Sequence, residues 1–274
     1  MPGNNLVLSI RRSISAGVAA IILLGCKKTI HPDLDNAAAH IVIQGEVTDD
    51  GSGPDTVRVN RTVSFYAGNS FPAVSGASIK ISDNEGNTDS LLETAPGIYI
   101  TQGLKGKPGN TYTLSVLSND TLYTAVSTMP QPVNFDSVTF NHKTGLSTDA
   151  IFAVPKFQDP AGIPNYYQFM EYLNHRVLLN KNIFVFDDRL SDGRYITVSL
   201  RNSDSYLHNG DYLEVRMYCI DQPVYNYFNE LDQSSGGDDD NASASPSNPV
   251  SNISNGALGY FSAHTVRVVD VIVH

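Results

Sequence analysis

The sequence predicts an all-β, mainly β protein: an N-terminal immunoglobulin- or transthyretin-like β-sandwich, then a second β-rich domain with one short helix. Three observations carry that prediction. From His40 onward apolar residues recur at every second position in short runs, which is the strand period. Turn-forming clusters such as "DDGSG", "DNEGN" and "KGKPGN" separate those runs. A single stretch, after Asp221, carries the three-to-four spacing of an amphipathic helix. The 274 residues suffice for two ordinary domains, and 41% apolar content supports a buried core. A net charge of -10 argues against nucleic acid as a partner, because phosphate binding needs a basic surface. Fourteen tyrosines and eleven phenylalanines stand without one tryptophan, which weighs against a dedicated glycan reader.

The first 25 residues read as a signal peptide. Arg11 and Arg12 precede the apolar stretch Ile14–Leu24, and no acidic residue interrupts it. Eleven helical residues span roughly 16 Å, about half of a bilayer's hydrocarbon core, so this stretch is no membrane span. It ends in Leu23-Leu24-Gly25-Cys26, which resembles the bacterial lipobox. That resemblance implies a diacylglycerol thioether on Cys26 and cleavage before it, with small Gly25 admitting the backbone to the peptidase. Loss of residues 1–25 removes two arginines and no acid, taking the net charge from -10 to -12. The expected product is a lipoprotein held at a membrane through its lipid anchor, which leaves its periplasmic or surface-facing side open. Residues 26–39 are polar and unpatterned and serve as a tether.

Residues 40–130 are expected to form the sandwich. "HIVIQGEV" places Ile41, Ile43, Gly45 and Val47 on one face, and "DTVRVN", "ASIKIS", "GIYIT", "TYTLSVL" and "TLYTAVS" follow. "MPQP" at 129–132 marks the boundary, because its prolines break a ladder. In 131–274 the runs "FDSVTFNH", "AIFAVPKF", "NYYQFMEYL", "RYITVSL", "DYLEVRMYCI" and "HTVRVVDVIV" suit strands. Alternation sets Leu213, Val215, Met217 and Cys219 on one face, so Cys219 reads as a buried hydrophobe. Asp221 suits a helix cap and Pro223 its first turn, with Val224, Tyr227, Phe228 and Leu231 on one stripe. The acidic, low-complexity stretch 234–250 is expected to be a mobile loop.

After that loop, Asn255-Gly256 suits a turn needing positive φ, Gly259 allows close backbone approach, and Tyr260 and Phe261 enter the last strand. A second reading makes Asn252, Asn255, Gly256, Gly259, Tyr260 and Phe261 a rim that contacts a partner. No G-x-S-x-G, H-E-x-x-H, C-x-x-C or phosphate-binding glycine loop occurs, so no catalytic residues, metal or cofactor are expected. His31, His40, His142, His175, His208, His264 and His274 are scattered without ligand spacing. Asp187-Asp188 and Asp238–Asp240 match no calcium loop and read as solvated turns.

The lipobox, "IVIQGEVTDD", "DPAGIPNYYQF" and above all "SNISNGALGYFSA" together resemble the domain-of-unknown-function family 4249, lipoproteins of Bacteroidota. The resemblance covers nearly the whole mature chain and implies no catalytic residue. Members are similar in setting to accessory proteins of TonB-dependent outer-membrane transporters. It implies a non-enzymatic accessory or binding module in nutrient uptake. The rivals are a free-standing adhesion or ligand-capture protein and a hydrolase.

Overall fold

The computed structural model describes residues 39–63, 71–143, 150–178, 183–201, 207–235 and 248–274. Cys26 with its lipobox, the tether up to residue 38, and residues 236–247 of the acidic loop lie outside the described residues. The chain order is β1 (Ile41–Thr48), β2 (Thr56–Arg61), β3 (Ser78–Asp83), β4 (Thr88–Ser90), β5 (Leu92–Ala95) and β6 (Ile98–Ile100). Then come β7 (Thr111–Ser118), β8 (Thr121–Thr128), β9 (Phe135–Lys143), β10 (Ala150–Gln158) and β11 (Tyr166–Leu173). The rest are β12 (Arg176–Val177), β13 (Phe184–Asp187), β14 (Tyr195–Thr197), β15 (Tyr212–Ile220), helix α1 (Gln222–Ser235) and β16 (Leu258–Ile272).

The fold is all-β, built from one long sheet backed by two short ones. The long sheet runs β12-β11-β15-β16-β1-β2-β6-β5, with β13 also on β11. Its central joint is the parallel pair β1–β16, in register from Val42 opposite Leu258 to Thr48 opposite His264. A four-stranded sheet, β4-β3-β7-β8, packs against one part of its inner face. A three-stranded sheet, β14-β10-β9, packs against another. Two cores result. Ile43, Val57, Ile81, Leu114 and Phe261 belong to the first. Phe157, Tyr167, Phe169, Leu213, Val215 and Met217 belong to the second, with Cys219 on the same face as expected. β16 serves both: Phe261 and Ala263 fill the first core, while Val269 and Val271 pack on the second.

The opposite face of the long sheet carries α1. Asp221 starts the helix as the sequence predicts: its Oδ1 accepts from Val224 N at 3.2 Å, and Val224 is fully buried. The same carboxylate accepts from Ser127 Oγ at 2.7 Å and Thr128 N at 3.1 Å, and Ser127 Oγ in turn accepts from Ala263 N at 2.8 Å. One aspartate thus caps α1 and ties it to β8 and β16. Asp221→Ala should cost roughly 1–3 kcal/mol in urea unfolding, since it removes a cap and orphans two donors. A loss under about 0.5 kcal/mol, the range of ordinary surface changes, would refute the tie.

Candidate functional site

The outer face of the long sheet holds a cavity of about 620 Å³ beside α1. Strand alternation builds its floor. The odd residues of β1 and the first half of β16 enter the first core, so the even residues Gln44, Glu46 and Thr48, and Tyr260, Ser262, His264 and Val266, face the cavity. Parallel register sets Gln44 beside Tyr260, Glu46 beside Ser262 and Thr48 beside His264. Arg58 arrives opposite Gln44 from β2, and Tyr218 opposite Val266 from β15. Phe228 of α1 closes one side and meets Tyr260 at a tilt, 4.8 Å between ring centroids. The 49–55 turn closes another.

His264 is only 6% exposed, and its ring meets Tyr218 edge-on at 5.0 Å. Its Nδ1 lies 2.9 Å from Ser262 Oγ, while Nε2 has no hydrogen-bond partner among the described residues. Burial pulls its pKa down to about 4 against the opposing pull of Asp49 and Asp50, so the ring is neutral at pH 7. Asp55, also 6% exposed, moves the other way. Burial pushes it up to about 7, with Glu46 and Asp50 adding repulsion and hydrogen bonds from Thr48 opposing. Its Oδ1 accepts from Thr48 N at 2.9 Å and from Thr48 Oγ1 at 3.0 Å.

Asp50 sits in an Asx turn, accepting from Ser52 N at 3.0 Å and Ser52 Oγ at 2.9 Å. Burial opposes its ionisation, yet the Ser52 and Thr48 hydrogen bonds outweigh burial and hold its carboxyl below the usual range. Glu46 meets the cavity's water, but the cavity walls desolvate it enough to raise its pKa despite Arg58 nearby. Arg216 binds Glu214 at 2.5 Å and lies 4.3 Å over the Tyr172 ring. Such a wall of rings, carboxylates and guanidinium groups suits non-covalent recognition of a small polar molecule.

The rim residues scatter. Phe261 is fully buried in the first core, and Gly259 is buried at φ +97° against β1. Both are therefore corrected from partner-contacting positions to interior ones, because alternation along β16 turns Phe261 inward. Tyr260 lines the cavity instead. Asn252 is tied to β16, accepting from Phe261 N at 2.9 Å and donating to Phe261 O at 2.7 Å. Asn255 and Gly256 form the expected turn, at φ +56° and +70°, and remain exposed. Asn255 Nδ2 donates to Leu122 O at 2.6 Å, and Ser254 N to Thr124 O at 2.8 Å. The segment thus covers the free edge of β8.

Asp188 is likewise corrected: expected in a solvated turn, it is 3% exposed. It accepts from Asn165 N at 2.9 Å and anchors one loop to another. Its oxygens come within 4.8 Å of those of Asp159 and Asp192, the one group among the described residues close enough to share an ion. Each of the three is engaged already. Asp159 accepts from Tyr167 Oη at 2.5 Å and Gly193 N at 2.9 Å, and Asp192 from Gly162 N at 2.7 Å. Structural pinning explains them. Asp187 is bound by Arg189 Nε at 2.9 Å and Tyr225 Oη at 2.6 Å. Asp238–Asp240 lie outside the described residues.

Sheet, helix and cavity define an all-β protein with a pocket on a sheet face. The chain belongs to the family described as Domain of unknown function (DUF4249), whose model matches residues 27–268. No curated protein matches it. Among solved structures it is similar to the Yersinia pseudotuberculosis adhesin InvE, at 16% identity over 65% of this chain and 55% of that one. The TM-score of 0.20 is too low to carry an argument, and the chain spans about half the length of that adhesin structure.

Proposed function

We propose that this chain is a lipid-anchored, non-enzymatic binding module of the outer membrane that holds a small ligand in the cavity beside α1. In this reading it serves as an accessory to a TonB-dependent transporter in nutrient uptake. The observation that carries the binding role is the cavity itself: about 620 Å³ in the size range of ligand sites, walled by aromatic rings and floored by fixed polar groups. The anchor rests on Cys26 and the lipobox before it. The transporter role rests on the setting in which similar proteins occur.

Cys26→Ala should release the protein from the membrane fraction and abolish labelling by a radioactive fatty acid. A variant that stays bound and labelled refutes the anchor. The partner is tested by crosslinking the tagged, lipidated protein in native outer membranes and identifying what copurifies. A TonB-dependent transporter in near-stoichiometric amount is expected. Recovery of the lipoprotein alone would replace the accessory role with free-standing ligand capture.

A further inference from the structure

The charges around the cavity narrow the class of molecule it takes. Thr48 Oγ1 lies 3.0 Å from both Asp50 Oδ1 and Asp55 Oδ1, so the two acids crowd one hydroxyl that has a single proton to give. Glu46 stands near enough to add to the repulsion on Asp55. The cations on this face are partly committed. Arg216 pairs with Glu214 and covers Tyr172, and Arg58 offsets part of Glu46. His264 is neutral and adds no charge. Glu46 and Asp50, with Asp55 only partly ionised, therefore outweigh the cations at this end of the floor.

Two further observations point to a missing partner. The Nε2 of His264, a residue that lines the cavity and is more than nine-tenths buried, has no hydrogen-bond partner among the described residues, a costly condition in a finished interior. Arg216 over Tyr172 shows that a ring of this face accepts a cation at its centre. Tyr260 and Phe228 present further rings, and Tyr260 is close enough to Glu46 for the carboxylate to act on its phenol.

We propose that the cavity binds a small organic cation, its ammonium against Glu46 and Asp50 and its apolar part on Tyr260 and Phe228. This rests on the reading of the cavity as a ligand site. Carboxylates neutralise the charge, rings supply the quadrupole attraction, and the walls exclude enough water to strengthen both.

Isothermal titration of the full chain in detergent tests the class with matched probes. Phenethylamine and choline are the cations, phenethyl alcohol the neutral isostere, phenylacetate the anion and glucose the polyol. Saturable binding of a cation is expected, at least about tenfold tighter than the alcohol or the anion. Glu46→Gln, which keeps the shape, should weaken it about tenfold, and Asp50→Asn at the mouth should weaken it in the same direction. Unchanged melting temperatures would show both variants folded. Cation binding indifferent to both substitutions overturns the assignment. An alcohol, anion or sugar that binds as tightly as the amine overturns the cation class and leaves the cavity as a ligand site. Binding of no probe overturns the proposal together with the reading beneath it.

Discussion

Gly259→Ala should be the most damaging single substitution on the sheet face. Gly259 sits at φ +97° in the parallel pair of β1 and β16, directly opposite Ile43. A Cβ there would lie 2.0 Å from Ile43 O and 2.8 Å from Ile43 C. Both are backbone atoms, so no rotamer change relieves the overlap, and the positive φ adds roughly 1–2 kcal/mol for any L side chain. Relief requires β1 to move off β16. That would disturb a ladder of seven residue pairs and pull apart Ile43 and Phe261, both fully buried. A loss of about 4 kcal/mol or more is expected, a large part of ordinary domain stability. Thermal unfolding should shift down by roughly 8–16 °C at this chain length. The control is Gly256→Ala, at φ +70° with nothing within 4 Å of the added carbon, where only the backbone cost of about 1 kcal/mol applies. Equal losses at the two glycines would refute the close approach.

Legibility in the sequence follows how local each feature is. β1, β7 and β11 show clean alternation, because one face of each is more deeply buried than the other, and β15 does so until Tyr218 and Ile220 are buried beneath α1. Helix α1 is equally legible, since cap, first-turn proline and apolar stripe all lie within ten residues of one another. β4, β5, β12 and β13 are two to four residues long and leave no periodic signal. The parallel joint of β1 with β16 is not legible either. It pairs residues more than two hundred positions apart, and nothing in either segment names its partner.

The site was lost with that joint. Glu46 and Thr48 alternate with the core residues of β1 and look like an ordinary solvated face. Ser262 and His264 do the same in β16, a strand that also carries Thr265, Arg267 and Asp270, so they do not stand out. Only the register that sets Glu46 beside Ser262 and Thr48 beside His264 turns two polar faces into one floor. The rim reading of "SNGALGYF" does not hold at Gly259 and Phe261, which are buried, while Asn255 and Gly256 stay exposed. The close approach at Gly259 and the entry of Phe261 into the last strand are legible locally, and alternation along β16 turns Phe261 inward. Asp188 shows the limit of local legibility, since burial of a carboxylate depends on Asn165 and on loops distant in sequence.

The two shifted groups on the floor should hide each other in a pH titration and be exposed by separate substitution. Asp55 rises from 3.8 to about 7, so the folded state holds a proton that the unfolded chain has lost between those values. Its contribution is full below about pH 4 and is lost as pH rises through about 7, a change of roughly 1.4 kcal/mol per pH unit. His264 falls from 6.5 to about 4, so the unfolded chain takes up a proton first. Its contribution is full above about pH 6.5 and is lost, at a similar slope, as pH falls toward 4. Between pH 6.5 and 4 the two slopes oppose each other and nearly cancel in the native protein. Glu46 and Asp221, both raised by burial, tilt the sum in the direction of Asp55, and comparison of each variant with wild type removes that tilt. Asp55→Asn resembles the protonated acid, so its stability relative to wild type should rise by about 2–3 kcal/mol as pH goes from 5 to 8. His264→Gln should gain on wild type by about 2 kcal/mol as pH falls from 7 to 5. Urea unfolding at pH 5, 6, 7 and 8 measures both differences. Parallel pH profiles for wild type and Asp55→Asn would place Asp55 in water, and a flat difference for His264→Gln would do the same for the imidazole. Opposite slopes would establish a floor that holds an uncharged ring and a reluctant carboxylate on one sheet face.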